Sequence, residues 1–359
     1  MDAVNDERPP VVFSCVLNND CATAVKNKTA DIAVLGAADT FKAYKDGLVA
    51  VAAEDKGELG TLDYYSVAVV NKDTCDANPN LSLADLKGKS ACFTGYQRTA
   101  GWVIPVGYLL YQNIMPFVTA NTSVQNDAES VASFFNGTCA ARANARGPAI
   151  LSVRDCVCMA YVFWCMQCVP AVTPICLPQN GTGTKWDALC GICKGDCAAN
   201  EPYFDYEGSM ICLQDKAGMV SFNKHEVPLD WTTDGAAPNK NITVKRSDVR
   251  LLCPQGGCAT VDQYARCNFA AVPARAVVVR PDTDTSRLED ALDFLIESDG
   301  FAATVLNSTA NPSNAIFNVK LKTLRPINDT MSHLGRITQA FEGYDSLSDT
   351  SVTAQGNSG

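Results

Sequence analysis

The chain has 359 residues, 47% of them apolar, which is enough for a sizeable core in two or three domains. Its formal net charge is −10 and it has no basic run, which argues against a nucleic-acid partner. Seventeen cysteines, with N-x-S/T sequons at Asn27, Asn121, Asn136, Asn180, Asn241, Asn307 and Asn328, predict an oxidising, extracellular setting and a glycoprotein. The N-terminal stretch MDAVNDERPPVVFSC lacks a basic region followed by an apolar one. It reads either as a chain whose leader is gone or as a piece of something longer.

In chain order, TADIAVLGAAD (29–39) reads as a strand entering a Gly/Ala turn, and TFKAYKDG (40–47) as a short helix ended by Gly47. YYSVAVVNK (64–72) is β-branched and strand-like. SLADLKGKSACFTG (82–95) reads as a helix and then a strand, and GWVIPVGYLL (101–110) as a helix. The segment VCMAYVFWCMQCVPAVTPICL (157–177) is broken by Gln167, Pro170 and Pro174, so it is too short to span a membrane. AGMVSFNKH (217–225) and RAVVVRP (275–281) are strands, and RLEDALDFLIESDGF (287–301) has the spacing of an amphipathic helix. Strands alternating with helices predict an α/β fold with parallel sheets, and ligands at the carboxyl ends of strands.

One loop carries chemistry. In CFTGYQRTAGW (92–102), a strand gives way to a helix. Thr94 offers a hydroxyl, Arg98 a planar fork of donors, and Ala100 and Gly101 backbone amides with little side chain in the way. Such donors at a helix start make an anion site, and the guanidinium suits a planar oxyanion such as carbonate or a carboxylate. Catalysis is not expected. The only histidines are His225 and His333, and no H-E-x-x-H, G-x-S-x-G or P-loop pattern occurs.

Several ordered segments resemble one lobe of a transferrin: DYYSVAVVNKD (63–73), DLKGKSACFTGYQRTAGWVIPVGYLL (85–110), ASFFNGTC (132–139), YFDYEGSMICLQDKAGMVSFNKHEV (203–227), VRLLCPQGGCATVDQYARCNFAAVPARAVVVR (249–280) and HLGRITQAFEGY (333–344). The resemblance implies two mixed-sheet α/β subdomains with an interdomain cleft, like a periplasmic binding protein. The first would comprise 1–64 plus 266–345, without its N-terminal strand. The second would comprise 65–265, with a Cys-rich insertion at about 146–185, and 346–359 would form a tail.

The implied cargo is Fe³⁺ with carbonate as synergistic anion. Thr94, Arg98, Ala100 and Gly101 fall on the family's carbonate site, and Tyr64 and Tyr206 on its two tyrosine ligands. Phenolate suits hard Fe³⁺. Gly36 stands at the aspartate-ligand position and Asn268 at the histidine-ligand position, so two protein ligands are replaced. Gly36 is expected to occupy a turn at positive φ. Lys224 falls on one member of the family's lysine pair and Asn318 on the other, so Lys224 and His225 are read as ordinary strand-end residues.

The resemblance also implies the bridges Cys92–Cys212, Cys253–Cys267, Cys139–Cys193 and Cys190–Cys197. A further family bridge is lost on both sides, with Gln112 at one end. Cys15 and Cys21 either pair with each other or have lost partners in a missing segment. Cys156, Cys158, Cys165, Cys168 and Cys176 lie in the insertion, which reads as an added disulfide loop or an unspliced segment rather than a zinc site.

The function so implied is extracellular or cell-surface binding of ferric iron with carbonate, for iron transport, uptake and homeostasis. Candidate partners are a cell-surface receptor and further lobes of a longer chain. The alternative is a degenerate lobe that keeps the anion site but not iron, serving as an anion-binding or receptor-facing module.

Overall fold

The structure, a computed structural model, describes residues 14–18, 20–55, 63–118, 126–141, 156–160, 187–198, 200–286 and 323–327, with single positions at 288, 292, 335, 338 and 341. The chain divides into two compact units. One comprises 1–62, 153–174 and 274–334; the other comprises 63–152, 175–273 and 335–359.

The described strands are β1 (Ser14–Asn18), β2 (Ile32–Leu35), β3 (Val49–Asp55), β4 (Asp63–Asn71), β5 (Ala91–Phe93), β6 (Thr138–Cys139), β7 (Cys156–Ala160), β8 (Val220–Lys224), β9 (Val249–Leu252), β10 (Cys258–Ala259), β11 (Ala270–Pro273), β12 (Ala276–Val279) and β13 (Thr323–Pro326). The α-helices are α1 (Cys21–Lys26), α2 (Ala37–Lys45), α3 (Lys72–Ala77), α4 (Ile104–Tyr111), α5 (Asn126–Phe134), α6 (Asp205–Gln214) and α7 (Glu226–Asp230).

In the first unit the sheet runs β1-β7-β2-β12-β3-β13, and its described pairings are all antiparallel. Val277–Val279 of β12 are at most 1% exposed, as a central strand covered on both faces should be. Helix α2 starts at Ala37, three residues earlier than its sequence pattern suggests. Gly36 is its N-cap, at φ −68° and ψ 163°. The expectation of positive φ at Gly36 is therefore wrong: the backbone is ordinary extended N-cap geometry, open to any residue. A Cβ there would meet nothing within 4 Å.

In the second unit the sheet runs β10-β9-β4-β8-β5-β6, with β11 also pairing with β4. Strand β5 is parallel to β6 and β8, while β4 is antiparallel to β8, β9 and β11. The plain parallel sheets read from strand–helix alternation are thus not found: the second sheet is mixed, and the described pairings of the first are antiparallel. Alternation reports which elements follow each other, not strand direction. Phe93 on β5 stacks on Phe222 of β8 at 5.1 Å and tilts against Trp102 at 4.9 Å. This fully buried aromatic cluster sits under the Thr94 loop.

Cys92–Cys212, Cys139–Cys193, Cys190–Cys197 and Cys253–Cys267 are bonded as the resemblance implies. A fifth bridge, Cys75–Cys258, joins α3 to β10 and was not anticipated. Cys21 is buried on α1, and the side chain of Cys15 lies outside the described residues. Among the described residues no helix is long and apolar enough to cross a membrane, and Cys156–Ala160 at the start of the 157–177 segment is strand. Most of 287–301 and 333–344, the rest of the insertion, Asn318, His333 and the sequons at Asn121, Asn180, Asn307 and Asn328 lie outside the described residues.

Candidate functional site

Thr94 follows directly on β5, at the carboxyl end of a strand with parallel neighbours, where open α/β sheets place ligands. The strand ends because Gly95 takes φ +144° and Gln97 φ +58°. Arg98 then caps a wide π-type turn over Thr99–Val103, whose Trp102 and Val103 amides both donate to the Arg98 carbonyl (2.8 and 2.9 Å). The turn runs on into α4, with Pro105 in its first turn, where a missing N–H does no harm. The Ala100 and Gly101 amides precede the first intrahelical bonds, so they have no helix carbonyl to serve. The Ser66 hydroxyl of β4 donates to the Ala100 carbonyl at 2.7 Å and pins this turn to the strand that carries Tyr64.

Thr94 is fully buried, and its Oγ1 has no hydrogen-bond partner. A buried hydroxyl left without a partner costs about 1–3 kcal/mol, so this atom sits where an added acceptor would be favourable. A Cβ at Gly101 would overlap this hydroxyl, so glycine is what brings the turn so near Thr94. Of the four residues read from the sequence as an anion site, Thr94 and Gly101 are thus brought into direct contact within one loop that also carries Arg98 and Ala100.

Arg98 is engaged from the opposite segment. Its Nη1 lies 2.7 Å from Asp205 Oδ1, and its guanidinium lies 4.7 Å from the Phe204 ring centre and 5.7 Å from that of Tyr206. Asp205 opens α6 at φ +66° and donates its N–H to the Thr94 carbonyl at 2.8 Å. Its Oδ1 also accepts the Tyr206 N–H at 2.8 Å. The Cys92–Cys212 bridge ties α6 to β5, so Tyr206 and Thr94 are held in one framework.

Tyr64 and Tyr206 are both half-buried and share a neighbour. The Lys224 ammonium lies 4.1 Å from the Tyr206 ring centre and 5.1 Å from that of Tyr64. Lys224 ends β8, as read, but it is packed on both tyrosines rather than being an unremarkable surface residue. His225 is also engaged: its Nδ1 accepts the Tyr65 N–H at 3.1 Å, which puts the proton of the neutral ring on Nε2. It packs on Tyr264 with ring centres 4.2 Å apart.

Asn268 lies on the same unit as the tyrosines, between the Cys253–Cys267 bridge and β11. Its Nδ2 donates to the Tyr264 carbonyl at 2.7 Å. Gly36 belongs to the other unit. The sequence reading missed Asp205, although it stands inside the quoted YFDYEG stretch, directly before Tyr206. Cys139, Cys193 and Glu201 lie close enough to hold a metal, but the two cysteines are bonded to each other and the Glu201 carboxylate accepts the Lys194 and Gly195 amides at 2.8 and 2.7 Å.

The family model described as "Transferrin" matches residues 2–161 and 161–302. Curated relatives include Serotransferrin-1 of Salmo salar, 33% identical over 304 residues that cover 81% of this chain and 35% of that one. Ovotransferrin of Gallus gallus is 32% identical over 284 residues, covering 77% and 32%. Melanotransferrin of Homo sapiens is 29% identical over 339 residues, covering 90% and 38%. The chain thus spans about a third of the length of the curated relatives it matches. The solved structure of transferrin 1 from Manduca sexta shares the fold, with a TM-score of 0.61 at 20% identity over 90% of this chain and 46% of that one.

Proposed function

Because the chain belongs to the transferrin family, we propose that it binds ferric iron together with carbonate, as a transport-type binding protein and not an enzyme. The observation that carries this reading is the fully buried, unpartnered Thr94 hydroxyl against Gly101, in the same loop as Arg98, whose donors suit a carbonate oxygen. Tyr64 and Tyr206 are the proposed phenolate ligands, and Lys224 against both rings is a cation already placed beside them. Gly36 and Asn268 take the family's aspartate and histidine positions and supply neither group. Iron is therefore held by fewer protein donors and more loosely. The proposed setting is secreted or cell-surface, with a receptor and further lobes as proposed partners.

The test is titration of the protein with ferric iron in the presence of bicarbonate, followed by the visible tyrosinate-to-iron charge-transfer band. The band is expected in the parent and should be lost in the Tyr64→Phe/Tyr206→Phe variant. A parent that binds bicarbonate yet develops no band is instead the degenerate lobe, which keeps the anion and has given up the metal. The absence of a carboxylate at Gly36 and of an imidazole at Asn268 favours that second reading.

A further inference from the structure

We propose that Asp205 sets the affinity of the anion site: it is a tethered carboxylate that holds the Arg98 guanidinium until an incoming planar oxyanion takes its place. This rests on the reading of the Thr94–Gly101 loop as a carbonate site and adds a residue to it that competes with the ligand.

Three contacts hold Asp205 in this role. Its Oδ1 pairs with Arg98 Nη1 at 2.7 Å, the same oxygen accepts the Tyr206 N–H, and its own N–H is bound to the Thr94 carbonyl. The backbone there is left-handed, at φ +66°, where glycine is the easy choice and aspartate one of the few tolerated side chains. A carboxylate thus stands where the backbone alone favours no side chain at all, and it is aimed at the one guanidinium of the anion loop.

A bidentate oxyanion needs two parallel N–H donors of Arg98, and Asp205 already engages Nη1. The pair also sums to zero charge, so a second anion meets a neutralised fork. Exchange needs a turn of the Asp205 side chain, which gives up the Arg98 pair and the Tyr206 N–H bond together; the side chain is 45% exposed, so water can solvate the released carboxylate. Half-exposed ion pairs of this kind are weak, so the competition is one that millimolar bicarbonate can win.

The test is calorimetric titration of sodium bicarbonate into the metal-free full chain, comparing the parent with Asp205→Asn and Asp205→Gly. Both variants accept the left-handed backbone. Each should bind bicarbonate about three- to fivefold more tightly, the range set by loss of a half-exposed ion pair. Asp215→Asn removes the same charge from the far end of α6, where Asp215 pairs with Lys194, and should leave the affinity unchanged. Equal affinity in the parent and both Asp205 variants overturns the proposal and leaves the carbonate reading standing. An equal gain from Asp215→Asn also overturns it, because the effect is then general charge and not competition for Arg98. No bicarbonate binding by any of the proteins overturns both readings together.

Discussion

The hydroxyl of Thr94 and a side chain at residue 101 cannot coexist: a Cβ on Gly101 would overlap Thr94 Oγ1, and that hydroxyl is buried without a hydrogen-bond partner. Two substitutions should move stability and binding in different ways. Gly101→Ala overpacks the contact and should cost about 1–3 kcal/mol as well as anion binding. Thr94→Val keeps the shape and removes the orphaned hydroxyl. It should leave the ligand-free protein as stable as the parent or about 1 kcal/mol more so, while weakening bicarbonate binding. Urea unfolding with and without bicarbonate separates the two effects. A Thr94→Val protein that is destabilised but binds normally would show that the hydroxyl has a structural partner instead.

Arg98→Ala removes the planar fork and leaves the anion with backbone amides alone. Iron loading with bicarbonate should weaken at least tenfold, about 1.4 kcal/mol, the low end for charge-assisted hydrogen bonds. The visible band titrated at fixed bicarbonate reports it, and unchanged loading would remove Arg98 from the site.

Asp215 gives a pH signature that is independent of any ligand. The Lys194 ammonium beside it, with the Tyr203 hydroxyl donating at 2.9 Å, holds its carboxyl below the ordinary carboxylate range. A depressed folded value means stability that is present above the unfolded value of about 3.9 and is lost as pH falls through the folded one. Urea midpoints between pH 5 and pH 2 should therefore fall more steeply for the parent than for Asp215→Asn. Parallel curves would mean that the pair does not couple to folding.

The loop proposed to hold the anion stands out in the sequence because its chemistry is local: a hydroxyl, a guanidinium and two small residues within eight positions, bounded by a strand and a helix. The tyrosines carry no such local mark, since Tyr64 and Tyr206 are 142 positions apart and only the resemblance singled them out. Strand direction was not legible either, because β4 takes antiparallel partners from three distant segments. Asp205 escaped for a different reason. Its meaning depends on a left-handed backbone and on Arg98 lying 107 residues earlier, and neither is written in the residues beside it.

The two positions proposed as substituted ligands, Gly36 and Asn268, allow a repair experiment. Gly36 is an N-cap without a side-chain hydrogen bond, at an extended φ that aspartate adopts freely. Gly36→Asp should therefore stabilise the metal-free protein by a few tenths of a kcal/mol through capping of α2, roughly the usual margin over glycine. If Gly36 and Asn268 occupy the aspartate and histidine positions, Gly36→Asp/Asn268→His should also bind Fe³⁺ more tightly and release it on mild acidification, since imidazole protonates near pH 6.5. Iron retention against pH measures this. A double variant with the capping gain and no change in iron binding would show that these positions lie outside the metal's reach.

The Cys75–Cys258 bridge, which ties α3 to β10, should be worth about 2–4 kcal/mol to the folded state. The Cys75→Ala/Cys258→Ala variant tests this by denaturant midpoint, and its bicarbonate affinity should be unchanged. Altered anion binding would instead place this bridge in the framework of the site.

The Cys92–Cys212 bridge has a consequence for synthesis. Its two cysteines are 120 positions apart, so the strand that bears Thr94 leaves the ribosome long before the helix that bears Tyr206. Through that interval Cys92 is a thiol without its mate, and Cys75, only 17 positions upstream, is available to it. The correct pairing must wait for vectorial emergence of residue 212, and Cys75 finds its own partner only at residue 258. The native framework therefore requires that Cys75 and Cys92 stay unpaired with each other until residues 212 and 258 have been made.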